Sequence, residues 1–456
     1  MVSLVRDGAV SPVELVEAHL QQIERRNPRL NAFVMVLADE ARVEARQREA
    51  ALKRGEPLGM LHGIPVTVKD SFDVAGLPTR SGSRLRIGHR AAEDAWAVAR
   101  LKAEGAVLLG KTNTPELLAS YETDNGITGR TNHPRDPERT PGGSSGGEAA
   151  AIAACCSAGG IGSDGGGSIR VPAHFCGIAG LKPTPGRIPA SGHFPVIGNP
   201  SGLLTVAGPM ARTARDLQLL FITLAGYDPH DPFSSPLPLR KPQRLNLLAG
   251  VWEQFYEVPV EPEIRAAVQR AASLLESCGV AVEPFAPRGL ERAPNVWAFL
   301  FNQWPGAITR KMMEGREDEI HWTLRESLSS SEPSAGQAYT ELAIRDRMRA
   351  AFLRQMGDMA ALVMPVCGVT AFAHRQRRYP VEGREIGLFQ AMMPAVFANV
   401  LGLPAVTIPM AIASSGMPIG IQLVGRPFEE ELLLEMAVSL EEARGPLAYD
   451  ASEPLS

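Results

Sequence analysis

The sequence predicts an α/β protein folded as one large domain, and three observations point that way. Strand-like and helix-like patterns alternate from the first tenth of the chain to its end. The 456 residues are 45% hydrophobic and 21% charged, ordinary globular usage with enough chain for a sizeable core. No internal repeat and no long polar linker interrupts them.

The elements follow in order. Ser11 is a helix N-cap, Pro12 suits the first helical position, and Glu14 completes an S-x-x-E capping box. Val13, Val16, Leu20 and Ile23 then recur on one face, and Asn27-Pro28 is expected to end the helix. Ile64–Val68 and Ala106–Leu109 are short aliphatic runs bounded by Gly, Pro and charge, which predicts buried strands. Glu148–Cys156 is alanine-rich and apolar on most sides, a buried helix. A strand over Leu245–Val251, a helix carrying Ile264, Val268 and Leu275, and a strand over Val280–Val282 come next. Residues from about 215 to 390 read as less regular and rich in Arg, Met and aromatics. Strands at Ala405–Pro409 and Ile419–Leu423 and a helix over Glu429–Ala443 restore the alternation.

Composition excludes several functions. Lys plus Arg is 46 against 50 for Asp plus Glu, a net charge of −4, which gives no footprint for nucleic acid or an anionic membrane. No run approaches the roughly 20 apolar residues of a membrane span, and the start shows no secretory pattern. The five cysteines, at 155, 156, 176, 278 and 367, fit neither a zinc site nor a redox pair. The nine histidines form no ligand pair. A cytoplasmic protein with free thiols, no metal and no cofactor is expected.

Three segments carry chemistry. Gly63-Ile64-Pro65-Val66-Thr67-Val68-Lys69-Asp70 ends an apolar strand on a lysine. Lys69 either leaves for solvent or pairs with Asp70, or it is desolvated enough to be neutral and act as a base. Pro141-Gly142-Gly143-Ser144-Ser145-Gly146-Gly147 enters the alanine-rich helix. It is no P-loop, and although it satisfies G-x-S-x-G, residues 131–140 before it read as loop rather than the strand a nucleophile elbow needs. Gly162-Ser163-Asp164-Gly165-Gly166-Gly167-Ser168 brings successive backbone N–H groups together, an anion nest or an ordinary glycine loop.

The stretch GGSSGGEAAAIAACCSAGGIGSDGGGSIRVPAHFCGIAGLKPTPGRIP closely resembles the core motif of the amidase signature family, with a 24-residue step from Ser144 to Ser168. The Lys69 strand, Thr123 and Asn125, Gly208–Thr213, and the tail GLPAVTIPM…GMPIGIQLVGRPF are similar in the expected order, over about residues 10–440. The resemblance implies a central mixed, twisted sheet covered by helices on both faces. It places a catalytic core at about 55–215 and 390–445 and a substrate-determining middle at about 216–390.

It further implies a Ser–Ser–Lys triad: Ser168 the nucleophile, Ser144 the proton relay after a cis Gly143–Ser144 bond, and Lys69 the neutral base. The amides of Gly165, Gly166, Gly167 and Ser168 would form the oxyanion hole. Ser145 and Asp164 would hold the two loops, with Arg170 structural. Two departures stand out: Gly165 where Ile or Thr is usual, expected to loosen the loop, and Ser163 where Thr is usual. Substrates implied are small amides, anilides, carbamates or esters, with a homodimer as the family habit.

Competing readings are an amidase-like component of a tRNA-dependent amidotransferase and an esterase using Ser144. Lys182–Pro189 looks more like the stand-alone amidases than the tRNA branch. His174 invites a Ser–His reading but fits a buried core histidine better, and His193 reads as pocket wall or turn. Phe301, Trp304, Met312 and Met313 read as substrate pocket or plain core.

Overall fold

The computed structural model describes residues 1–242, 246–328 and 332–447. Among the described residues thirteen strands form. They are β1 (Phe33–Val36), β2 (Pro65–Lys69), β3 (Val107–Thr112), β4 (Gly159–Asp164), β5 (Ala179–Lys182), β6 (Val206–Ala211), β7 (Leu248–Val251), β8 (Ala281–Pro284), β9 (Ala361–Pro365), β10 (Arg378–Val381), β11 (Arg384–Gly387), β12 (Ala405–Ile412) and β13 (Pro418–Gly425). Eleven make one sheet in the order β1-β3-β2-β4-β6-β5-β12-β13-β9-β7-β8, while β10 and β11 form a separate hairpin. The sheet is mixed: β3–β2–β4 and β9–β7–β8 are parallel, and the pairs between them are antiparallel.

Helices cover both faces, because the strands bury side chains on both. Val66 and Val68 of β2 and Leu423 of β13 pack with Leu101, Leu217, Val268 and Leu434 from helices Trp96–Ala103, Ala214–Leu224, Pro262–Ser277 and Glu430–Arg444. The alternate residues Thr67 and Lys69 point to the opposite face. There lie helices Pro12–Leu30, Gly146–Ala153, Arg170–Cys176 and Leu388–Val400. This second face carries the site.

The predicted capping box at Ser11 and Glu14 forms. Asn27-Pro28 does not end that helix, which runs to Leu30. Pro28 removes only one donor in the final turn, Asn31 N–H still reaches the Asn27 carbonyl, and Asn31 takes the left-handed cap. The middle is more regular than expected. It supplies β7, β8 and β9 and a 22-residue helix, Ala335–Met356, capped by Ser334 and Gln337. Scattered arginines break that helix's apolar stripe and hide it from periodicity. Of the strand predicted from Leu245, the observed part is Leu248–Val251, and Leu245 lies outside the described residues. Among the described residues no helix is long and apolar enough to cross a membrane.

Candidate active site

β2 and β4 are parallel neighbours, so their carboxyl ends stand side by side. Lys69 closes β2, and the nest Gly165–Ser168 follows β4 directly. Lys69 is fully buried. Its Nζ lies 2.7 Å from Ser144 Oγ and 3.1 Å from Ser163 Oγ, with no carboxylate in direct contact among the described residues. Asp70 instead pairs with Lys111 at 2.8 Å, so the simple Lys69–Asp70 pairing is excluded. Burial pulls the Lys69 ammonium down to about 7, against the opposing fields of Asp164 and Glu148. It is therefore poised between base and acid near neutrality.

Ser144 follows a cis Gly143–Ser144 peptide, as the resemblance implied. The turn is held from three sides. Thr123 Oγ1 donates to the Gly142 carbonyl and accepts from Gly146 N–H. Ser145 N–H donates to the Ser168 carbonyl at 3.1 Å, and Ser145 Oγ donates to the Ser163 carbonyl. Ser145 thus ties the two serine loops together.

Asp164 organises the nest. Its carboxylate accepts from the Gly167 and Ile169 amides at 2.7 and 3.1 Å and pairs with buried Arg170. Asn399 and Gln422 complete the Arg170 shell. Despite its burial, Arg170 and Lys182 hold the Asp164 carboxyl well below the usual range. One expectation fails here: the Gly167 amide is already spent on Asp164 and cannot join an oxyanion hole.

The amides of Gly165, Gly166 and Ser168 have no partner among the described residues. In a trans peptide the N–H points opposite its C=O, and all three matching carbonyls are pinned. The Asp164 carbonyl accepts from Asn399, that of Gly165 from Trp297 Nε1 at 2.8 Å, and that of Gly167 from Val171 N–H at 2.7 Å. Tyr121 OH holds the Gly166 carbonyl, which turns Gly167 N–H away toward Asp164.

Nor is the nest loose at Gly165. A β-carbon there would overlap the Phe301 ring and come within 2.7 Å of Thr205 Oγ1. Phe301 stacks on Trp297 with centroids 5.0 Å apart, delivered by a π-helical turn over Ala298–Gln303. The missing side chain makes room for an aromatic one from far along the chain.

Ser168 sits between two chambers. The larger, about 390 Å³, also reaches Ser144, Ser163, Gly165 and His193, with walls that include Leu85, Leu117, Phe301 and Leu328. The smaller, about 150 Å³, lies toward Tyr121, Gly166, Trp297 and Phe389.

An amidase family model matches residues 14–434, most of the chain. The chain belongs to the amidase signature family. It is 35% identical to a component of the glutamyl-tRNA(Gln) amidotransferase of Anaeromyxobacter dehalogenans (strain 2CP-C), covering 96% of this chain and 94% of that one. It is 33% identical to an indoleacetamide hydrolase of Bradyrhizobium diazoefficiens, covering 98% and 86%. A solved 6-aminohexanoate cyclic dimer hydrolase with bound substrate superposes at TM-score 0.87 and 30% identity, covering 100% and 97%. Like its family, this amidase hydrolyses amide C–N bonds.

Other predicted residues of the amidase fall into place or out of it. His174 is a core histidine, accepting from Gly420 N–H at Nδ1 and donating from Nε2 to the Val369 carbonyl. Phe301 and Met312 line the larger chamber, whereas Met313 packs in a small core with Ile320 and Leu324, and Trp304 packs on Phe299. Sequence reasoning missed Ser163 as a lysine partner, Trp297 and Tyr121 as carbonyl clamps, and Glu148. Glu148 accepts from the Thr67 and Thr112 hydroxyls, and burial pushes its carboxyl up to about 7. A lone acid in a buried alanine helix was the available signal. Among the described residues no three potential metal ligands cluster.

Proposed function

We propose that this amidase works through a Ser168 acyl-enzyme, with Ser144 as relay and Lys69 as base. The observation that carries it is the 2.7 Å contact between the fully buried Lys69 amine and Ser144 Oγ, on one wall with Ser168. Neutral Lys69 takes the Ser144 proton while Ser144 takes that of Ser168, whose Oγ attacks the carbonyl carbon. The oxyanion is received by the amides of Gly165, Gly166 and Ser168. The C–N bond then breaks, its nitrogen taking a proton from Ser144 that the Lys69 ammonium replaces. Water attacks the acyl ester by the same relay, releasing the acid and restoring Ser168.

The leaving nitrogen must stand where Ser144 can protonate it, which assigns the leaving group to the larger chamber and the acyl part to the smaller. The substrate class is thus an amide, anilide or N–H carbamate with a short acyl portion and a bulky apolar amine. Val196, Ile308 and Met312, exposed at the rim, suit such an amine. The likeness to amidotransferase components raises glutamine as an alternative substrate. Against it, glutamine would carry its ammonium and carboxylate into the acyl chamber, and among the described residues that lining offers one carboxylate, Glu326, and no cation to pair the substrate's own carboxylate.

The test is fluorophosphonate labelling with peptide mass spectrometry. An adduct on Ser168 that Ser168→Ala abolishes is expected. An adduct on Ser144 that survives the mutation overturns the proposal.

A further inference from the structure

The larger chamber is mostly apolar, yet two buried polar atoms of residues on its wall have no partner among the described residues: His193 Nε2 and Thr205 Oγ1. A hydroxyl can rotate toward whatever arrives. An imidazole held by packing cannot, so its unmet nitrogen is the more informative.

His193 is 5% exposed. Its Nδ1 lies 2.7 Å from the Pro195 carbonyl oxygen. A carbonyl only accepts, so Nδ1 carries the proton and Nε2 is a bare lone pair. The ring stands edge-on to Phe72 with centroids 4.9 Å apart, and the two backbones form a β-bridge. Tautomer and orientation are both fixed. Burial, aided by the nearby Lys69 charge, pushes the imidazole down to about 3, so it stays an acceptor across any working pH. His193 shares the chamber of Ser144 and Ser163 and does not line the smaller one.

We propose that His193 is a specificity residue whose Nε2 accepts a hydrogen bond from the N–H of the leaving group, selecting secondary amides and N–H carbamates over esters and N-alkylated amides. The inference rests on the Ser168 reading and its leaving-group chamber. In the free enzyme Nε2 has no partner among the described residues, and a substrate that presents an N–H to it supplies the missing donor. A bound ester or N-methyl amide offers no donor, so the buried acceptor stays unmet. A site built for an N–H rejects the analogue that lacks it.

The experiment uses three substrates sharing one bulky aryl group and one acetyl group: the secondary anilide, its N-methyl analogue and the aryl ester. Each is measured as kcat/KM with the wild type, His193→Leu and His193→Gln. The leucine variant should lose roughly 10- to 100-fold on the secondary anilide, while the other two substrates change by less than about threefold. Glutamine, whose Oε1 is an acceptor, should recover part of the anilide rate. An equal fall on all three substrates makes His193 structural and overturns the proposal, as does an unchanged anilide rate. If melting shows that leucine unfolds the chain, the wild type is compared with His193→Gln alone. A partial loss confined to the anilide then supports the proposal, and an equal loss or none overturns it. Fluorophosphonate labelling of Ser168 separates the two levels: labelled variants with altered ratios concern His193, whereas a wild type that neither labels nor hydrolyses overturns the parent reading and this one with it.

Discussion

Replacing Lys69 by methionine separates what the buried amine does for reactivity from what it does to the fold. The two side chains are of similar length, but only one titrates. In the folded protein the amine sits at about 7 against an ordinary value of 10.5. An unfolded chain therefore binds a proton that the native one resists. The resulting penalty is absent above the unfolded value, grows as pH falls toward 7, and is complete below it. Linkage puts it at about 2 kcal/mol at pH 9 and about 4 kcal/mol at pH 7. Methionine also forfeits the hydrogen bonds to Ser144 and Ser163, but that loss is the same at both pH values. The Lys69→Met protein should thus gain about 2 kcal/mol on the wild type between pH 9 and pH 7. Urea unfolding followed by tryptophan fluorescence at pH 7, 8 and 9 measures it. A difference that stays flat across that window refutes the argument that desolvation sets the state of Lys69. In parallel, wild-type kcat/KM should climb with pH and level off above about 7, where the base is neutral. The methionine variant should be slower by about a thousandfold or more.

Gly165→Ala should lower both melting temperature and kcat/KM, at about 1–3 kcal/mol of overpacking, and adding Phe301→Ala should restore much of the melting temperature; an unperturbed single mutant contradicts the packing described. Asp164→Asn leaves Arg170 buried without its counter-charge, which should remove about 3–5 kcal/mol in urea titration and abolish Ser168 labelling. Ser163→Ala takes one of two hydroxyls from the Lys69 amine and should slow acylation about tenfold, read by the rate of fluorophosphonate labelling. Ser334→Ala, which removes a helix cap far from the chemistry, should cost about 1 kcal/mol and leave kcat/KM alone.

What could be read from the residues alone was whatever has a local cause. The Ser11 capping box, the aliphatic β2 and the two serine–glycine clusters each announce themselves over a few residues. β4 does not: Gly159–Asp164 holds one β-branched residue, and its extended form is imposed by β2 and β6 on either side. A β-carbon at Gly160 would strike the Thr67 carbonyl, so glycine there serves a neighbour remote in the chain. Trp297 and Phe301 act on the nest from some 130 residues away, a distance over which no periodicity speaks. The expectation for the nest amides took in one too many for a related reason: a glycine run shows that amides can converge, but the Gly167 partner is a matter of side-chain placement.

The pairing of β2 with β4 has a consequence for when reactivity appears. Thr67 and Val68 lie beside Gly160 and Ile161, more than ninety residues onward. Neither serine cluster is near the lysine in the unfolded chain, and a register slip by two residues would carry the amine about 7 Å from Ser144. On the proposed triad, hydrolytic power is therefore withheld from the emerging polypeptide and from misregistered intermediates. It arrives only with the completed sheet, so specific activity per mole of chain doubles as a count of correctly assembled molecules.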